Sequence, residues 1–154
     1  MATTNESDIK ILNGLIETTL DSADGYSEAA KEARNPRFTT LFQARATERQ
    51  HLIRQLQAEV VRLGGAPEDS GTMLAAAHRA FLNLKSSVTG SDQSVVDEVE
   101  AGEDHVKAKF EAALDNEELS PSGKALVTRI YGSIKAGHDE MSQLKHELKL
   151  RAAS

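Results

Sequence analysis

Carboxylate and imidazole side chains interrupt several apolar stripes of this sequence, at spacings that suit a metal ion. A carboxylate in a protein core is unfavourable unless it is paired, so each interruption needs a physical reason. Carboxylate oxygens and imidazole nitrogens together suit iron, manganese or zinc, and converging carboxylates balance their buried charge by holding cations. The candidate metal ligands are Glu17, Glu48, His51, Glu100, Glu103 and His138.

The spacing of these residues brings them to one height in a helical protein. Glu48 and His51 are three residues apart, as are Glu100 and Glu103, so each pair shares a helix face. Counted from two predicted turns, near residues 34 and 118, all six candidates lie roughly 14 to 20 residues away. Four helices are therefore expected to offer metal-binding groups midway along their length.

Each candidate also has an ordinary structural explanation when it is taken alone. A Glu-x-x-His pair on an exposed helix is common, and a core histidine is usually just hydrogen-bonded. Glu100 and His51 could be solvated on flanking faces. Gly102 and Gly137 adjoin Glu103 and His138, which allows either close helix approach or room for a ligand.

The elements that carry these residues are predicted to be helices. Apolar residues recur every three or four positions, no useful length alternates with period two, and the prolines fall between the periodic segments. The predicted fold class is all-α, with a disordered N-terminus over residues 1–6 and one domain over 7–151. The predicted helices cover residues 7–33, 36–63, 71–89, 92–116 and 120–151.

The lengths of the connections predict how these helices are arranged. Short turns near residues 35 and 118 imply two antiparallel hairpins. A bundle helix of about 27 residues is roughly 40 Å long, so the connection between the hairpins must be long to span the bundle. The prediction is a four-helix bundle whose hairpins are joined by a crossover that contains the helix over 71–89.

Composition excludes several other classes of protein. The chain has 154 residues, no cysteine and a formal net charge of −6, which removes disulfides and thiolate metal sites and argues against a nucleic-acid partner. There is no Gly-rich phosphate loop before a helix. No stretch reaches the roughly 18 apolar residues of a membrane helix, so a cytoplasmic protein without a membrane partner is expected.

These residues resemble the pattern of the ferritin-like superfamily, whose bundles carry a di-metal centre built from carboxylates and Glu-x-x-His pairs. The resemblance implies a metal role for Glu17, Glu48, His51 and Glu103, and Glu100 adds a second carboxylate next to Glu103. More closely, from about residue 9 to 144, the chain resembles the uncharacterised bacterial DUF2383 family. That resemblance rests on residues 11–17, 56–70 and 100–104.

One departure from the ferritin-like pattern leaves the site open. The last helix reads Lys135-Ala-Gly-His138 and so lacks the expected carboxylate, and the Lys135 ammonium could pair with Glu100 or Glu103. Two metals, one metal or none are all compatible with this sequence. The resemblance implies oxygen or peroxide chemistry, or iron handling, if two irons or manganese ions bind.

A metal-free bundle that acts through protein contacts, for example in a stress response, is the alternative. Self-association, as in a homodimer, is expected because the predicted crossover helix is apolar on more than one face. The residues that make it apolar on more than one face are Met73, Leu74, Ala76, Ala77, Ala80 and Phe81.

Overall fold

The structure is a computed structural model that describes residues 2–70 and 92–153. It contains α1 (Ala2–Glu32), α2 (Pro36–Arg62), α3 (Asp92–Asp115) and α4 (Pro121–Ala153), and no strand within those ranges. The predicted all-α class is therefore confirmed. The predicted crossover helix over 71–89 lies outside the described residues.

The helix ends follow the chemistry of their sequence. Asn35 caps α2 by accepting a hydrogen bond from the backbone N–H of Arg37 at 3.0 Å, and Pro36 occupies the first turn. Gly64 follows the end of α2 with φ 88°, a left-handed conformation that glycine adopts without a steric penalty. At the start of α4, the Ser120 hydroxyl accepts from the N–H of Gly123 at 3.1 Å.

The start of α1 differs from its prediction. Residues 2–6, which were expected to be disordered, belong to the helix, which begins at Ala2 and not at residue 7. This turn contacts the end of α2, where the Asn5 amide donates to the carbonyl of Leu63 at 3.4 Å.

Contacts between the helices establish their directions. Asn5 meets Leu63 and Ser22 meets Arg49, so α1 and α2 are antiparallel. Lys145 lies against Glu100, and contacts farther along both helices show that α3 and α4 are antiparallel as well.

The two hairpins are joined at both ends of α1. The buried Asp8 carboxylate accepts from the N–H of Ser120 at 2.9 Å and from its hydroxyl at 2.5 Å. At the other end, the Asp92 carboxylate accepts from the backbone N–H groups of Arg34 and Asn35 at 2.8 and 3.1 Å. These contacts make α3 antiparallel to α1 and therefore parallel to α2.

The apolar core is divided into two clusters along the bundle. One cluster is centred on residues such as Leu12, Leu56, Phe110 and Ile130. The other is centred on Tyr26, Phe42, Val96 and Met141. On α2, α3 and α4 the change from one cluster to the other falls at Arg49, Glu103 and Gly137, so a polar layer crosses the middle of the bundle.

Candidate functional site

A buried ion pair lies in the central polar layer. The Arg49 side chain on α2 is 0% exposed and the Glu103 side chain on α3 is 2% exposed. Arg49 Nη1 donates to Glu103 Oε1 at 2.8 Å, and Nη2 donates to Oε2 at 2.7 Å. This parallel two-bond arrangement matches the fork of a guanidinium to the two oxygens of a carboxylate.

The other two helices enclose this pair. From α1, the Ser22 hydroxyl accepts from Arg49 Nη1 at 2.8 Å, and the Tyr26 ring centroid lies 5.5 Å from the guanidinium carbon. From α4, Gly137 brings the backbone so close that a Cβ there would lie 2.4 Å from Arg49 Nη2 and 3.0 Å from Glu103 Oε2. Close helix approach is therefore what Gly137 provides.

The environment of the pair also perturbs Tyr26. Burial raises the pKa of its phenol well above the ordinary value of 10, and the negative charge of Glu103 raises it further. The positive charge of Arg49 acts in the opposite direction but does not outweigh them. Tyr26 is consequently a neutral group at physiological pH.

Glu48 is placed differently from its prediction. Its side chain is 36% exposed and accepts two hydrogen bonds from Arg45 Nη1, at 2.8 and 2.9 Å. Arg45 also donates to Glu140 on α4, at 3.1 and 3.2 Å. The sequence analysis put Glu48 on the inward stripe of α2, but the structure puts Arg49 there.

The reason is the register of α2. Its buried positions run through residues 38, 42, 46, 49, 52, 53, 56 and 60, and Glu48, which the sequence analysis placed on the apolar stripe of this helix, is not among them. A shift of one position turns a side chain by about 100° around a helix. That shift is enough to move Glu48 out of the core and to bring Arg49 into it.

A second group of chemically capable side chains lies on the seam between α3 and α4. Glu100, Asp104 and His138 each offer one ligand atom, and these three atoms lie within 4.8 Å of one another. His138 Nε2 is 2.6 Å from Asp104 Oδ1. Glu100 is half-buried and Asp104 is exposed. We call these three residues the seam cluster.

Asp139 orients the imidazole of the seam cluster. Its Oδ1 lies 3.1 Å from His138 Nδ1, the position of the carboxylate that commonly fixes the tautomer of a metal-binding histidine. Burial acts to lower the pKa of His138, but hydrogen bonds to Asp139 and Asp104 outweigh it and the pKa lies above the ordinary value.

Two lysines neutralise carboxylates around the seam cluster. Lys145 Nζ lies 3.3 Å from Glu100 Oε1, and the hydrogen bond to Glu100 raises the lysine pKa. Lys135 donates to Asp139 at 2.8 Å. The predicted pairing of Lys135 with Glu100 or Glu103 is therefore not what the structure shows, because Asp139 one turn away takes that ammonium.

The last two candidates lie elsewhere. Glu17 lines an outer groove of about 950 Å³ between α1 and α3, together with Lys10, His105 and Lys109. His51 is exposed on α2. The six candidates thus separate into the seam (Glu100 and His138), the central pair (Glu103), and three outlying positions (Glu17, Glu48 and His51).

The ferritin-like resemblance implies a di-metal centre in the middle of the bundle, and the residues found there do not fit one. The carboxylate of Glu103 already faces a cation, the Arg49 guanidinium, and its two oxygens are both engaged. Glu48, which the resemblance assigns to the centre, bonds to Arg45.

Three of the residues that build these sites were missed in the sequence. Arg49 left a signal in the sequence, because the apolar residues 38, 42, 46, 53 and 56 recur around it at helical spacing, but a neighbouring stripe leads through Glu48 instead. Asp104 and Asp139 gave no comparable signal, because both are exposed next to residues already chosen. Their proximity depends on how α3 and α4 are rotated against each other.

The comparison with protein families finds a match. A family model described as "Domain of unknown function (DUF2383)" matches residues 7–116, which cover α1 from its residue 7 onward, α2 and α3, but not α4. No curated protein matches the chain. Within the described residues, no helix is long and apolar enough to cross a membrane.

Proposed function

The chain belongs to the family described as a domain of unknown function (DUF2383), and we propose that it is a helical-bundle protein that binds one divalent transition-metal ion. The seam cluster of Glu100, Asp104 and His138 is the proposed site. The observation that carries the proposal is the proximity of three ligand atoms of suitable type, all within 4.8 Å of one another.

The geometry and the charge of the seam cluster support this proposal. Two atoms bound to one Zn²⁺-sized ion lie about 3 to 3.5 Å apart, so small side-chain rotations suffice. Two carboxylates and one neutral imidazole balance the charge of a divalent ion. Iron and manganese are the ions proposed, and either would supply redox chemistry with oxygen or peroxide when bound.

The roles of the individual residues follow from their contacts. Asp139 holds the proton on His138 Nδ1, which leaves Nε2 free to bind the ion in place of its hydrogen bond to Asp104. Lys145, whose Nζ lies 3.3 Å from Glu100 Oε1, competes with the ion for the charge of this carboxylate. Because Asp104 is exposed, the ion can be reached from solvent, which suits reversible metal handling.

The proposal includes a ferritin-like topology. Because α2 and α3 are parallel, the chain between them has to return along the bundle, as it does in a bundle with one crossover. The helix predicted over residues 71–89 is proposed as part of that crossover.

Calorimetric titration of metal-free protein with Mn²⁺ and with Zn²⁺ tests the metal proposal. We expect one ion per chain, with affinity lowered at least about tenfold in His138→Ala, since one of three protein ligands is lost. His51→Ala is the matched control because this histidine is exposed and distant in sequence from the seam cluster. The proposal is wrong if the wild type takes up no ion, or if His51→Ala and His138→Ala lose affinity equally.

One observation favours a metal-free protein that acts through protein contacts, as a second candidate. The charge of Glu103 is balanced by Arg49 without any metal, so the bundle core needs no ion to fold. Self-association belongs to this candidate. Light scattering after size-exclusion chromatography measures the oligomeric state. A dimer that persists in the presence of a chelator would support self-association, and a monomer at all concentrations would contradict it.

A further inference from the structure

We propose that the cation of the bundle centre is the Arg49 guanidinium itself, held in a site shaped for that group, and that no metal ion enters the centre of the wild-type protein. This site is separate from the seam cluster. It occupies the level at which a ferritin-like bundle would carry its metals, and the residues there do not fit such metals.

The first support is the geometry of the central pair. Both oxygens of Glu103 accept from different nitrogens of Arg49, at 2.8 and 2.7 Å. A carboxylate that binds a planar fork in this way gives one lone pair of each oxygen to the guanidinium, and its single negative charge is already matched. An ion that took over these lone pairs would have to displace a guanidinium that is 0% exposed.

The second support is the enclosure of the guanidinium from α1 and α4. Ser22 accepts a hydrogen bond from Nη1 at 2.8 Å, and the Tyr26 ring lies beside the guanidinium carbon. Gly137 closes the α4 side so tightly that even a Cβ would lie 2.4 Å from Nη2. The remaining space thus fits the planar group and excludes an additional coordination sphere.

The third support is that each carboxylate at this level already has an arginine partner. Glu103 is neutralised by Arg49, while Glu48 and Glu140 bond to Arg45 beside it. Arg49 Nε lies 3.9 Å from Glu48 Oε1, too far for a hydrogen bond but close enough for attraction. A metal ion at this level would be repelled by two arginine cations, and the carboxylates that could bind it are already hydrogen-bonded to those arginines.

This assignment predicts a cation site that a variant exposes. In Arg49→Ala, Glu103 keeps its buried negative charge and loses its partner, while Ser22, Tyr26 and Gly137 still line a space of guanidinium shape. We expect the variant to melt about 10 °C or more below the wild type. Guanidinium chloride at about 50 mM should then restore part of that loss, because its planar donors match the carboxylate and stabilisation by a bound ligand grows with its concentration.

The controls separate specific binding from general salt effects. Sodium chloride at the same concentration should restore little, since it lacks the fork of donors. The double variant Arg49→Ala with Glu103→Gln should not respond to guanidinium, because the buried charge that requires a cation is gone. The proposal would be overturned if guanidinium raised the melting temperatures of the single and double variants equally. It would also be overturned if Arg49→Ala had the same melting temperature as the wild type.

A second variant covers the case in which Arg49→Ala does not fold. Arg49→Lys keeps a cation but has no planar fork, so it should fold and melt below the wild type. An Arg49→Lys variant as stable as the wild type would show that the guanidinium shape is not required.

The absence of metal at the centre is tested independently of the seam cluster. His138→Ala disables the seam cluster. We expect any Mn²⁺ or Zn²⁺ uptake that remains in this variant to be unchanged when Glu103→Gln is added. Uptake in His138→Ala that disappears with Glu103→Gln would place an ion at the centre and contradict this inference, whatever the fate of the seam cluster.

Discussion

At the scale of single residues, Arg49 and Glu103 govern the centre of the bundle. Removing two charges from water is unfavourable, and a well-packed apolar pair in their place would often be equally stable. The pair instead fixes which faces of α2 and α3 meet, because each charge is costly in any packing that separates them. Its value to the fold therefore lies in specifying one arrangement of the helices.

Gly137 is the residue at which this arrangement is most sensitive to added volume. In Gly137→Ala the new methyl would lie 2.4 Å from Arg49 Nη2, and the bidentate pair leaves that nitrogen little freedom to move. We expect a loss of about 2 kcal/mol in the free energy of unfolding, measured by urea denaturation.

Gly132→Ala is the matched control on the same helix, since a Cβ there meets nothing within 4 Å. That variant should gain up to about 1 kcal/mol from the helix propensity of alanine. If Gly137→Ala is stabilised as much as Gly132→Ala, the close approach of α4 to the ion pair is wrong.

The pKa of the Tyr26 phenol depends on the burial of the same polar layer. Its pKa in the folded protein is raised by burial and by Glu103, so the folded state holds the phenol proton more tightly than the unfolded state does. The stability that this contributes is complete below the unfolded pKa of about 10 and is lost as the pH rises above it.

The measurement is an ultraviolet titration of Tyr131→Phe, in which Tyr26 is the sole tyrosine. We expect tyrosinate absorbance to appear together with loss of the helical circular dichroism. Ionisation near pH 10 with the helices intact would mean that Tyr26 is not enclosed in the polar layer.

At the scale of the elements, short polar contacts hold the two hairpins in register. Asp8 on α1 accepts two hydrogen bonds from Ser120 at the start of α4, and Asp92 at the start of α3 accepts two from the turn between α1 and α2. Each carboxylate satisfies backbone donors at or beside a helix N-terminus, where negative charge is favourable.

Asp8→Ala should weaken the junction of α1 with α4. The substitution leaves the N–H and the hydroxyl of Ser120 without their acceptor at a half-buried position, which costs about 1 to 2 kcal/mol. Glu6→Ala, an exposed carboxylate two residues away, should change the free energy of unfolding by less than about 0.5 kcal/mol. Equal effects of the two substitutions in urea denaturation would contradict the role of Asp8.

The helices themselves were readable in the sequence because periodicity and end signals agree. Asn35-Pro36, Gly64 and Ser120-Pro121 mark ends that the structure confirms. The start of α1 was missed, since residues 2–6 carry no apolar stripe and the contact of Asn5 with Leu63 is 58 residues distant in sequence. Long-range contacts of this kind leave no local pattern.

At the scale of the whole molecule, the height of the polar layer was predictable but its chemistry was not. Counting residues from the turns placed charged groups midway along the bundle, and Arg49 and Glu103 lie there. A rotation of the helix by about 100°, the angle between successive residues, changes which side chain faces inward. On α2 the apolar residues fit two neighbouring stripes that differ by about this rotation. The prediction took the stripe with Glu48 and so read the centre as a carboxylate cluster.

The seam cluster depends even more on tertiary structure. Asp104 and His138 are 34 residues apart in sequence and meet only because α3 and α4 form an antiparallel pair with a particular rotation. Sequence periodicity defines the buried face of each helix but leaves the pairing of residues at its edges undetermined.

The whole account assigns two cation sites to one bundle, an arginine at the centre and a metal ion on the α3–α4 seam. Long-range ¹H–¹⁵N spectra of the imidazole rings during a Zn²⁺ titration test it most directly, because they identify which ring nitrogen binds the ion. The account predicts that the Nε2 resonance of His138 shifts as one equivalent binds, while the His51 resonances stay in place. A shift of His51 on metal addition, with His138 unchanged, would contradict it.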